Sequence, residues 1–139
     1  MQPIDVSVEE FTTPDPVTVC EDTGIEELQR LMDAHGIRHL PVLRDGRVVG
    51  VVSDRDVRAV VGLSVAEKLQ VCASDIMAED PLTVSALASL DEVAYAMAER
   101  KVGSAIVNDA AGRFLGIFTA SDALNALVEI ARGEARTRG

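Results

Sequence analysis

The sequence predicts an α/β fold of the α+β kind, built from two pseudo-symmetric repeats. Each repeat reads helix–strand–strand–helix, and the two are expected to pack through their small sheets. Three observations carry this. Asp15-Pro16-Val17-Thr18-Val19 returns as Asp80-Pro81-Leu82-Thr83-Val84. After each copy, apolar residues fall at helical spacing: Ile25, Leu28 and Met32, then Leu90, Val93 and Met97. Each of these helices is followed by two short apolar runs around a glycine-containing turn.

Repeat one spans residues 10–62 and opens on the extended segment Pro16–Val19. Its helix runs through Met32, with Gly36 near the end. A strand is predicted at Ile37–Leu43, a hairpin turn at Asp45-Gly46, and a second strand at Val48–Val52. That second run is almost continuously apolar, so both of its faces should be buried. A further helix starts at Ser53. Residues 63–74 join the copies, and Val65, Leu69 and Cys72 predict a short helix there. Repeat two, residues 75–131, has Gly103 near its first helix end, strands at 103–108 and Phe114–Phe118, and a last helix from Thr119. One residue is added in its turn, Asn108–Gly112. The polar tail, 132–139, is expected to fray. One unit of about 60 residues buries little surface alone. The two are therefore expected to share one core and to leave a cleft between them, where pockets often form.

Composition narrows the function. The 139 residues are 47% hydrophobic and 26% charged, which fits a globular chain. With 23 acidic and 13 basic residues the net charge is −10. Phosphate-neutralising proteins carry the opposite balance, so neither nucleic acid nor an anionic membrane is an expected partner. No apolar run approaches a membrane span, and the N-terminus lacks the pattern of a secretion signal. Cys20 and Cys72 make neither a metal motif nor a disulfide framework and are expected to be buried or half-buried. A reducing, cytoplasmic location follows. His35 and His39 are four apart, but Gly36 lies between them and no third ligand is evident, so no metal site is expected.

The sharpest local signal is Gly50-Val51-Val52-Ser53-Asp54-Arg55-Asp56, repeated as Gly116-Ile117-Phe118-Thr119-Ala120-Ser121-Asp122. Two readings of it stand together. Ser53 and Thr119 suit helix N-caps, with Asp56 and Asp122 completing capping boxes. The same geometry exposes backbone N–H groups at a helix start, which favour a phosphate. A carboxylate there can accept from two adjacent hydroxyls, such as a ribose diol.

This duplicated unit, with Leu40-Pro41-Val42, Gly-x-x-Ser/Thr-x-x-Asp and Asp-Pro-Val-Thr-Val in order, resembles a tandem cystathionine β-synthase (CBS) domain pair, or Bateman module. The likeness covers roughly residues 10–131. The resemblance implies two sites in a central cleft for AMP, ADP, ATP, S-adenosylmethionine or related adenosyl compounds, with no cofactor required. It also implies that modules pair into a disc-like dimer. In similar modules the Ser/Thr-x-x-Asp of one repeat holds ribose and phosphate while the other repeat walls the adenine. Carried onto this sequence, one site uses Ser53, Arg55 and Asp56 with Met77, Leu82, Val102, Gly103 and Ser104. The other uses Thr119, Ser121 and Asp122 with Thr12, Val17, Ile37, Arg38 and His39. Arg38 and His39 would then favour a phosphorylated ligand at the Thr119 site. For Arg38 and Arg55 a surface or ion-pair role is the alternative, Arg55 with Asp54 for example. For Met77, core packing is the alternative, with Ser74 capping the turn before it. The copies differ, since Ala105-Ile106-Val107 lacks the proline of Leu40-Pro41-Val42, so the sites should not be equivalent.

The expected function is that of an adenosyl-nucleotide-binding regulatory or sensor module acting on a separate protein or through self-association. The alternative is a structural dimerisation or protein-interaction module with empty sites. An enzyme is not expected: Asp54 with Asp56, or Asp122 alone, is too little for hydrolytic chemistry. The apolar faces of the Leu90–Met97 and Ala123–Ile130 helices, with Ala94, Ala96, Ala98, Ala123 and Ala126, predict a homodimer.

Overall fold

In the computed structural model, residues 5–133 are described; most of the predicted tail, from residue 134, lies outside them. A 3-10 turn at Val8–Phe11 precedes β1 (Thr13–Pro14), β2 (Val19–Cys20), α1 (Ile25–His35), β3 (His39–Arg44), β4 (Arg47–Ser53) and α2 (Asp54–Arg58). Then come α3 (Val65–Lys68), α4 (Ala73–Ile76), β5 (Ala78–Glu79), β6 (Thr83–Ser85), α5 (Leu90–Arg100), β7 (Ser104–Asn108), β8 (Phe114–Thr119) and α6 (Ala120–Ala131). The mixed α+β architecture with two small sheets is the predicted one. The chain divides into two compact units: Pro16–Pro81, called the middle unit, and the residues up to Asp15 with those from Leu82, called the terminal unit.

The middle unit holds a sheet in the order β2-β3-β4-β5. Strand β2 lies parallel to β3, with Val19 opposite Val42. β3 and β4 form the predicted hairpin, whose Asp45 and Gly46 both take left-handed conformations, φ 50° and 79°. Two successive left-handed residues give the turn whose twist matches the strands it joins. Helix α1 buries Ile25, Leu28 and Met32 and ends at Gly36, φ 62°, whose N–H closes on the Met32 carbonyl. A left-handed helix end is where glycine costs least. These residues pack with Val19, Leu40, Val42, Val52, Val57 and Ala73.

The terminal unit repeats the design in the order β1-β8-β7-β6. Its inserted residue is absorbed by Asp109, whose Oδ1 accepts the N–H groups of Ala111 and Arg113, each at 2.9 Å. Its core joins Val6 and Val8 to Leu90, Val93, Met97, Val107, Phe118 and Ala126. Val8 N–H donates to Ala88 O and Leu90 N–H to Val6 O, both at 2.8 Å, tying the N-terminal segment to the start of α5.

Each unit carries a buried cluster completed by segments outside the repeated pattern, Val6 and Val8 in one and Ala73 in the other. Three expectations are corrected. Cys20 is exposed at the end of β2, and Cys72 is half-buried. Met77 does follow a short helix, but Cys72 rather than Ser74 stands at its cap, because Asp75 Oδ2 accepts the Cys72 N–H at 2.9 Å. Finally, α5 ends not at a glycine but at Lys101, which takes φ 56°. The second helices also differ in length. After Arg58 the chain continues as turns with bonds such as Val60 N–H to Val57 O, where β-branched Val60 and Val61 and then Gly62 disfavour a helix. α6 is rich in alanine and leucine and runs to Ala131.

Candidate ligand site

Both Ser/Thr-x-x-Asp segments sit where a strand runs directly into a helix, β4 into α2 and β8 into α6. In the middle unit the Ser53 N–H donates to Asp56 Oδ2 at 2.8 Å, and the Asp56 N–H donates to Ser53 Oγ at 3.1 Å. In the terminal unit Asp122 Oδ2 accepts from the Thr119 N–H at 2.9 Å and from its hydroxyl at 3.0 Å. The Asp122 N–H donates to Thr119 Oγ1 at 3.3 Å. These are capping boxes with Asp in place of the longer Glu.

The boxes do not exhaust the groups. The first helical N–H of each is taken by a carbonyl, Asp54 to Arg38 O at 2.8 Å and Ala120 to Gly103 O at 3.0 Å. The third is taken by the cap hydroxyl. The second, on Arg55 or Ser121, has no partner inside a helix by construction. Oδ1 of Asp56 and of Asp122 receives no hydrogen bond among the described residues. Each box thus presents one N–H donor and one carboxylate oxygen, groups suited to a phosphate or ribose oxygen and to a hydroxyl.

The lead-in segments fit close against the strand before each box. A Cβ on Gly50 would collide with Met77 Sδ and come within 2.9 Å of Ala78 O. A Cβ on Gly116 would collide with Thr13 O and come within 2.9 Å of Thr12 Cγ2. Met77 therefore lies against Gly50, three residues before Ser53, and Thr12 against Gly116, three residues before Thr119. Thr12 is held by its hydroxyl, which donates to Val8 O at 2.8 Å.

The other expected wall residues divide by unit. Val17, Ile37, Arg38 and His39 belong to the unit of Ser53, and His39 stands opposite Ser53 in the β3–β4 register. Leu82, Val102, Gly103 and Ser104 belong to the unit of Thr119, and Ser104 stands opposite Thr119. Arg38, Arg55, Ser121 and Val102 are exposed, while Val17, Ile37, Leu82 and Met77 are half-buried against their unit's core. Burial pushes the His39 imidazole below the usual histidine value; the Asp56 and Asp54 charges oppose that and Arg38 reinforces it. Asp54 pairs with Arg58 at 3.1 Å, not with Arg55.

Residues the sequence reading missed lie beside Asp122. Phe11, Asn125, Val128 and Glu129 join it around a cavity of about 390 Å³. Asn125 and Glu129 stand one and two turns along α6 from Asp122, a spacing readable in the sequence. No group of three His, Cys, Asp or Glu side chains is placed to hold a metal among the described residues.

Comparison with known proteins identifies the family. Its domain model, the CBS domain, matches residues 8–62 and again 73–129. The chain belongs to the CBS domain family. A CBS domain-containing protein of Dictyostelium discoideum is 30% identical over 135 residues, covering 90% of this chain and 93% of that protein. The inosine-5′-monophosphate dehydrogenase of Korarchaeum cryptofilum (strain OPF8) is 36% identical over 114 residues, covering 82% of this chain. The match spans only 23% of that enzyme's length. Among solved structures, CBSX2 from Arabidopsis thaliana, in complex with AMP, aligns with a TM-score of 0.77 at 28% identity. That alignment covers 91% of this chain and 98% of CBSX2.

Proposed function

We propose that this CBS pair is an adenosyl-nucleotide-binding regulatory module, a sensor for a ligand of the AMP, ADP, ATP or S-adenosylmethionine class. It binds rather than catalyses, works in the cytoplasm, and passes its signal to a separate protein or through self-association. The observation that carries this is the duplicated capping box, whose bonds leave a helix-start N–H and one carboxylate oxygen unused in each unit. The crystallised AMP complex of a 28%-identical CBS pair supports the ligand class. Asp56 and Asp122 accept from ribose hydroxyls in this reading. Ser53, Thr119 and the N–H groups of Arg55 and Ser121 face phosphate or ribose oxygens. The adenine-wall residues named from the sequence belong to the same proposal.

A thermal-shift panel of AMP, ADP, ATP, S-adenosylmethionine, NAD and GTP tests it. A ligand at 100 times its Kd stabilises the fold by about 2.7 kcal/mol, several degrees for a domain of this size. The expected result is a shift with an adenosyl compound that weakens in Asp56→Ala or Asp122→Ala, without turnover of ATP or AMP. A flat panel overturns the reading.

The second reading, a structural dimerisation module with empty sites, is favoured by one observation: Tyr95 on α5 and Leu124, Leu127 and Val128 on α6 are exposed. Homodimerisation through these helices is compatible with either reading.

A further inference from the structure

We propose that His39 is a positioning residue of the Ser53 box: its neutral imidazole leaves Asp56 Oδ1 free for a ribose hydroxyl, and its protonated form takes that oxygen and closes the box to ribose. The inference rests on the adenosyl reading and adds to it a proton-linked control of one site.

The register fixes where the ring sits. His39 stands opposite Ser53 across β3 and β4. Just outside that pair, the Asp54 N–H donates to Arg38 O at 2.8 Å. A pair flanked in this way is of the non-hydrogen-bonded kind, with Cα atoms about 4.5 Å apart and side chains at their closest. The imidazole therefore leaves the sheet on the same face as the Ser53 side chain and beside it. Ser53 is bonded twice to Asp56, its N–H to Oδ2 and its Oγ to the Asp56 N–H. The neighbour of the ring is thus the box itself. The acceptor that the box leaves over is Asp56 Oδ1, which receives no hydrogen bond among the described residues.

The charges around the ring make it responsive. Burial, the largest influence, favours the neutral imidazole, and Arg38 beside it in the chain does the same. Asp56 and Asp54 on α2 favour the imidazolium. β4 faces the ring with the neutral Ser53. β2 joins β3 only from Val42 onward, and α1 turns Ile25, Leu28 and Met32 into the core. The ring is therefore neutral near pH 7 and gains its proton below the ordinary value of 6.5. Once charged, its N–H bonds a carboxylate more strongly than a neutral hydroxyl does. The equivalent position beside Thr119 is Ser104, which does not titrate.

The adenosyl reading also gives His39 to the wall of the Thr119 site. Asp122→Asn disables that site and leaves the Ser53 box alone. Calorimetric titration of this variant with adenosine, an uncharged probe, tests the proposal. Between pH 7.5 and 5 the dissociation constant is expected to rise about threefold or more, and this rise is expected to disappear when His39→Gln is added. Equal pH dependence with and without His39 overturns the proposal. A second measurement needs no change at His39. In Asp122→Asn the NMR titration of the His39 ring is expected to move to lower pH when adenosine is bound, because binding and proton uptake oppose each other. A titration that stays in place or moves up overturns the proposal. Failure of every adenosyl compound to bind the native chain overturns the adenosyl reading itself, and this inference with it. Binding to the native chain that is lost entirely in Asp122→Asn overturns this inference alone.

Discussion

Lys101 holds a left-handed conformation that L side chains with a Cβ adopt only at a cost of about 1 kcal/mol or more. Its N–H still closes the last turn of α5 on the Met97 and Ala98 carbonyls. The side chain is exposed, so little packing is lost with it. Lys101→Gly is expected to stabilise the fold by about 0.5 kcal/mol after the greater freedom of glycine in the unfolded chain is counted. Urea denaturation checks this, and a lower midpoint would contradict it. His39 makes a second residue-scale prediction. Its folded imidazole titrates below its ordinary value of 6.5, so the unfolded chain takes up the proton first as pH falls. Stability is then fully present above that value and drains away as pH drops below it. Stability measured from pH 8 to 5 should fall less steeply in His39→Gln than in the native protein. Parallel curves would show that His39 does not contribute. Neither effect was legible in the sequence. There Gly36 and Gly103 look like matching helix ends, and only the backbone places Gly103 two residues too late to cap.

At the scale of elements the sequence spoke clearly wherever a pattern repeated. Ile25, Leu28 and Met32 and their counterparts Leu90, Val93 and Met97 are buried as their spacing requires. The β-hairpins and both capping boxes stand where the motif placed them, because Ser/Thr-x-x-Asp at a strand end has one strongly favoured local geometry. The lead-in strands were not legible. β1 and β5 are two residues each, too short for any periodicity, and β1 pairs with β8 rather than with the sheet of its own repeat. The clue was Gly50 and Gly116, whose missing side chains admit a neighbouring backbone. Gly116→Ala drives a methyl group into the Thr13 carbonyl, while at Gly50 the nearest atom belongs to the flexible Met77 side chain. Gly116→Ala is expected to destabilise the fold by about 2–3 kcal/mol, and Gly50→Ala by less. Equal losses in chemical denaturation would refute the distinction, and with it the role of the Gly116 gap in seating β1.

For the whole molecule, the question is what covers the apolar residues left in water. Tyr95 is 68% exposed, and Leu124 and Leu127 are each 63% exposed, on α5 and α6 of one unit. Scattered apolar residues need no explanation, but several on two helices of one unit suggest an interaction surface. The −10 net charge acts the other way, since two copies repel. Apolar attraction acts at contact, whereas repulsion between exposed charges reaches farther and is screened by salt. If the contact is a homodimer through these helices, its dissociation constant should fall as ionic strength rises. An interface held by ion pairs would show the reverse. Light scattering at micromolar concentration is expected to return about twice 14.8 kDa, with the dimer fraction growing between low and moderate salt. Leu127→Glu adds a buried charge to each side of such a contact and is expected to return the monomer mass without loss of the folded spectrum. A native protein that stays at the monomer mass in both salts would leave these helices free for a different protein.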